Sequence, residues 1–116
     1  DDLNVTIRFA DGSLATIVYT GLGDDIYPKE LIEVYSGGSV VSVDNFKSFT
    51  LAENGKLRKK SSRIQDKGSK DAIKDFVTAV LNGGPAPIDE AELIETSIAT
   101  IAIMESLREG RRVEIC

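Results

Sequence analysis

The chain has 116 residues, 41% of them hydrophobic and 28% charged, with a formal net charge of −5. Such values fit one globular domain with a single core and argue against a disordered chain. The acidic balance argues against nucleic acid as a partner, and no apolar run approaches the roughly 20 residues of a membrane crossing.

Two absences narrow the chemistry further. The chain has no histidine, so the commonest general base and the commonest metal ligand are both missing. Its one cysteine, Cys116, excludes an internal disulfide framework and fits a reducing, cytoplasmic setting. Asp1-Asp2 stands directly before a strand with no initiating methionine, which reads as a cut inside a longer polypeptide.

In chain order, Leu3, Val5, Ile7 and Phe9 alternate with Asn4, Thr6 and Arg8, the period of a half-buried strand. Asp11-Gly12 supplies the positive φ angles of a tight hairpin turn. A two-residue loop there pairs Phe9 with Leu14, Ile7 with Thr16 and Val5 with Val18. The other face then carries Arg8 beside Ala15, Thr6 beside Ile17 and Asn4 beside Tyr19. That face is mixed rather than polar, which implies a covering surface. After Gly21-Leu22-Gly23 and Pro28, a strand over Leu31 to Tyr35 turns at Gly37-Gly38 into Val40 to Val43. Ile32 then faces Val43, and Val34 faces Val41. A third hairpin sets Phe49 and Leu51 on one arm, Asn54-Gly55 at the turn and Leu57 on the other arm.

The period then changes. Ile73, Phe76, Val77 and Val80 recur at helical spacing, with Ser69 as the expected cap and Asn82-Gly83-Gly84-Pro85 as the stop. Asp89 with Glu92 resembles a capping box and opens a second helix that stops at Gly110. Its apolar positions, Leu93, Ile94, Ile98, Ile101, Ala102 and Met104, exceed one narrow stripe, so the helix needs cover on more than one side. Val113 to Ile115 is a candidate last edge strand. The expected fold is α+β: a mostly antiparallel open sheet of about six strands, with two α-helices packed on one face.

In order, the motifs are Val5-Thr6-Ile7-Arg8-Phe9-Ala10-Asp11-Gly12-Ser13, then Ile32-Glu33-Val34-Tyr35, then the block from Gln65 through Phe76. The Gly-rich break with Pro87-Ile88 and the closing Glu105-Ser106-Leu107-Arg108-Glu109-Gly110-Arg111 follow. This ordered set resembles the C-terminal domain of the Gfo/Idh/MocA oxidoreductases, the glucose-fructose oxidoreductase and inositol dehydrogenase family, over nearly the whole chain. The resemblance implies a parent enzyme in which an N-terminal Rossmann domain holds NAD or NADP. The C-terminal sheet of such an enzyme forms the substrate site and much of the subunit interface. The family's Glu-Lys-Pro lysine and its further histidine have no counterpart here, since Pro28-Lys29-Glu30 runs in the reverse order. No catalytic role is carried onto Lys29, and the chain alone is expected to bind no cofactor and to turn nothing over.

Several residues qualify as candidate sites. Gly21-Leu22-Gly23-Asp24-Asp25-Ile26 lacks the third glycine of a dinucleotide loop, and no helix pattern follows it, so an ordinary loop is preferred. Lys56, Arg58, Lys59, Lys60 and Arg63 read as an edge strand blunted by cations rather than as an anion site. Gln65, Lys67 and Ser69 lie where strand gives way to helix, and the resemblance makes them substrate-contact candidates. At the position of Ser69, relatives often carry a tyrosine or histidine, so capping alone is the stronger expectation for it. The resemblance also makes Arg8, Ala15, Ile17 and Tyr19 subunit-interface candidates. Asp24, Asp25, Glu90, Glu92 and Glu95 read as loop and helix-start solvation, with no pair spaced for acid–base work, and no metal site is expected. The expected partners are therefore the chain's own Rossmann domain and further copies through the sheet face. The competing class is a self-contained α+β module that binds a protein or ligand without catalysis.

Overall fold

A computed structural model describes residues 2–115; Asp1 and the lone Cys116 lie outside the described residues. The fold is α+β. Six strands, β1 (Leu3–Arg8), β2 (Leu14–Tyr19), β3 (Leu31–Ser36), β4 (Ser39–Asp44), β5 (Ser48–Glu53) and β6 (Lys56–Ser61), precede α1 (Ser69–Asn82) and α2 (Glu90–Glu109). All strand pairs are antiparallel. The strands do not form one sheet: β1-β2 is a hairpin and β3-β4-β5-β6 is a separate meander. The break falls at residues 20–30, where Gly21, Gly23 and Pro28 interrupt the strand pattern and Pro28 has no N–H to offer a ladder. The chain accordingly divides into two compact units, residues 20–69 and residues 2–19 with 70–115.

The meander follows its turn chemistry. Gly37 and Gly38 have φ of 55° and 79°, and Asn54 and Gly55 have φ of 50° and 70°. Positive φ at both central residues marks the turn whose twist matches that of paired strands. Ile32 faces Val43 and Val34 faces Val41, as the sequence predicts. With Phe49 opposite Val43 and Leu51 opposite Val41, these six side chains form one apolar face of the sheet. β6 pairs only with β5 and is exposed throughout, so Lys56, Arg58, Lys59 and Lys60 do lie on a sheet edge.

In the other unit the first hairpin departs from its expected register. Val5 faces Ile17 and Ile7 faces Ala15, one residue out of the expected pairing. The Asp11 carboxylate causes the shift: it accepts from the backbone N–H of Ser13 at 2.9 Å and from the Ser13 hydroxyl at 2.7 Å. The Phe9 N–H donates to the Ser13 carbonyl at 3.0 Å and the Gly12 N–H to the Phe9 carbonyl at 3.0 Å. The result is a three-residue loop with Gly12 at φ 89° rather than a two-residue turn. A one-residue slip sends every side chain of a strand to the other face. Ala15, Ile17 and Tyr19 therefore join Leu3, Val5 and Ile7, while Arg8 lies on the opposite face with Leu14.

Both helices end where glycine permits. At α1, the Gly84 N–H reaches the Ala79 carbonyl at 3.0 Å and the Gly83 N–H reaches that of Val80 at 3.4 Å. This is the paired closure made possible by Gly83 at φ 61°. Ser69 is the first helical residue of α1 rather than its cap, with Gly68 preceding it at φ 74°. Asp89 caps α2 by accepting from the Ala91 N–H at 2.8 Å, and Gly110 closes it in the left-handed conformation. The expected strand at Val113 to Ile115 does not form. Arg111 bonds back to Glu105 and Glu109, and its carbonyl accepts from the Ser106 hydroxyl at 2.6 Å, which holds the chain against the helix end and away from any strand. A cleft of about 670 Å³ lies between β1, α2 and residues 112–115. Among the described residues only Ala102, on the α2 wall of that cleft, is buried.

Candidate functional site

The most tightly built polar cluster joins three separate stretches of the meander unit. It starts from the β4–β5 connection, where Asn45 and Phe46 adopt φ of 49° and 52°. Asparagine tolerates this left-handed region, but a bulky phenylalanine in it is an outlier that costs about 1–2 kcal/mol. Surrounding bonds hold the corner there. The Asn45 N–H donates to the Glu30 carbonyl at 2.6 Å, and the Asp66 N–H donates to the Phe46 carbonyl at 3.2 Å. The Ser62 N–H reaches the Lys47 carbonyl at 2.7 Å.

Gln65 and Lys67 close the cluster. The Gln65 amide nitrogen donates to the Asn45 carbonyl at 3.0 Å and to the Asn45 side-chain oxygen at 2.9 Å. The Lys67 ammonium pairs with Glu30 Oε1 and sits 5.6 Å from the centre of the Phe46 ring. Over an aromatic face, a cation gains modest attraction beyond its ion pair. The second carboxylate oxygen of Glu30 is buried and has no hydrogen-bond partner. An orphan of this kind costs about 1–3 kcal/mol until a donor satisfies it. The Lys67 side chain is 47% exposed, so its ammonium remains open to solvent on one side.

Two of the three sequence-predicted contact residues therefore meet at one corner. Ser69 does not join them and stays exposed at the start of α1. Glu30, Asn45 and Phe46 were not foreseeable as partners, because 37 residues separate Glu30 from Lys67. Only Asp44-Asn45, a pair prone to turns, hints at the corner. Of the interface candidates, Ala15, Ile17 and Tyr19 share one hairpin face, and Arg8 does not.

Other candidates acquire no chemistry. β3 rather than a helix follows the Gly21–Ile26 loop, so no helix N-terminus stands where a dinucleotide loop would need one. Among the described residues no group of three or more Cys, Asp or Glu side chains is placed to hold a metal ion. Among the described residues no helix is long and apolar enough to cross a membrane. The Tyr35 hydroxyl donates to Glu33 at 3.3 Å, and the neighbouring carboxylate charge raises the phenol above its ordinary pKa. No family model matches the chain, and neither a curated protein nor a solved structure matches it.

Proposed function

We propose that this chain is the substrate-binding and oligomerisation domain of an NAD(P)-dependent oxidoreductase of the Gfo/Idh/MocA type, acting on a sugar-like or polyol substrate. The observation that carries the proposal is the convergence of Gln65 and Lys67 on the Glu30–Asn45–Phe46 corner. A polyol is recognised by donors and acceptors held at fixed spacing. Lys67 has ammonium protons beyond the one engaged by Glu30, and Gln65 keeps its amide oxygen as an acceptor because its nitrogen is turned to Asn45. The strained corner fixes both side chains in advance, which lowers the entropy lost on binding. NAD or NADP would belong to a preceding Rossmann domain and supply the hydride chemistry. No described residue is assigned to that step.

A titration of the chain with sorbitol or glucose, followed by amide NMR, tests the binding role. Shifts confined to the Gln65 side-chain amide, Asn45 and Gly68, and lost in Lys67→Met, are expected. Shifts that survive Lys67→Met, or none at this corner, would contradict it. A second reading, a protein-binding module without catalysis, draws on the exposure of large apolar side chains on β2, β3, β5, β6 and both helices. It is favoured if the sugars leave the spectrum unchanged.

A further inference from the structure

The outward side of α2 is largely apolar and exposed. One side of the helix, through Ala99, Ala102, Ile103 and Ser106, lines the cleft against β1. At 100° per residue, the opposite side carries Glu90, Ile94, Ser97, Ile101, Met104 and Arg108. Ile94, Ile101 and Met104 are 51%, 67% and 57% exposed. The one polar group in the middle of this stripe is already satisfied, because the Ser97 hydroxyl donates to the Leu93 carbonyl at 2.8 Å. A groove bounded by Ile101, Met104, Leu107 and Arg108 runs along the same side.

We infer that α2 pairs antiparallel with α2 of a second copy of this chain, about a two-fold axis facing the side opposite Ala99. The charges select both the occupant and the direction. With that axis Glu90 of one copy meets Arg108 of the other, Ile94 meets Met104, and Ser97 meets Ile101, each twice by symmetry. A parallel pair would set Glu90 on Glu90 and Arg108 on Arg108. Acid at the start and base at the end of a helix also suit its own dipole. That alone leaves the apolar stripe between them uncovered, and self-pairing covers it. Glu105, which borders the seam, is neutralised within its own copy by Arg111 at 2.7 Å. Arg108, 77% exposed, lies 3.5 Å from a Glu109 carboxylate that Arg111 also holds at 2.6 Å, which leaves its guanidinium open to Glu90 of the second copy. The inference is independent of the polyol assignment, and it places the contact between copies on α2 rather than on the Ile17 face of the hairpin.

Sedimentation equilibrium of the whole chain tests it. A dimer is expected, weakened about 100-fold by Ile101→Glu and left intact by Ile17→Glu. Glu90→Arg alone should weaken it about tenfold, and Glu90→Arg with Arg108→Glu should restore it. Circular dichroism of each variant separates loss of pairing from loss of helix. Spin labels in a Cys116→Ser background read the direction: Ile101→Cys labels lie about 6 Å apart along the axis and Glu90→Cys labels about 27 Å apart. A monomeric chain, a dimer lost only in Ile17→Glu, or short distances at both labels would overturn the inference.

Discussion

The meander and the hairpin–helix unit are ordered by different means. In the meander, two two-residue turns with positive φ at both central residues set the β3–β4 and β5–β6 registers. The hydrogen-bonded Asn45–Phe46 corner joins β4 to β5 and ties the last segment to the middle. Its apolar face of Ile32, Val34, Val41, Val43, Phe49 and Leu51 adds packing to a pattern that the turns already dictate. In the other unit, Asp89 and Gly110 cap α2 and Gly83 closes α1, while Ala102 supplies the only buried side chain among the described residues. Local hydrogen bonds can therefore specify a sheet with little burial, but they leave an apolar helix such as α2 in need of a second surface.

The contrast can be broken at either end. The largest expected effect is that of Gly38→Val, which forces a β-branched residue to φ 79° and should cost about 2 kcal/mol in urea unfolding of the meander. The strain is in the backbone alone, since a Cβ at this site meets nothing within 4 Å. Next, Gln65→Ala removes both bonds to Asn45 and should cost about 1.5 kcal/mol, with the Asn45 and Phe46 amides losing protection from exchange. Asp89→Ala removes the α2 cap and should cost about 1 kcal/mol, read as reduced helicity with the meander unchanged. The smallest effect concerns pH. The hydroxyl and backbone N–H of Ser13 hold Asp11 below the ordinary carboxylate pKa. A lowered native pKa means a contribution that is present above the ordinary value and lost as pH falls through the lowered one. The Ser13 amide resonance should report that midpoint, and Asp11→Asn should flatten the curve.

Legibility followed the range of the forces involved. Gly37-Gly38 and Asn54-Gly55 act through their own φ preferences, so these two turns and the β3–β4 register were readable from adjacent residues, while the β4–β5 connection at Asn45–Phe46 was not. The helix ends at Gly83 and Gly110 were readable for the same reason. Asp11 defeated the same logic, because its side chain competes for the Ser13 N–H and adds a residue to the loop. Gly21, Gly23 and Pro28 mark the interruption between β2 and β3, but whether strands on either side of such a loop pair is decided by tertiary placement. Gln65 and Lys67 were picked out by resemblance. Their partners Glu30 and Asn45 come from tertiary placement, and the left-handed Phe46 runs against its own preference.

Hydrogen exchange followed residue by residue at several protein concentrations tests the central contrast most directly. Protection of the meander amides should not vary with concentration, because the bonds that hold them lie within one chain. Protection of the α2 amides should rise with concentration as the outward face of Ile94, Ile101 and Met104 is covered. Equal, concentration-independent protection in both units would contradict the account.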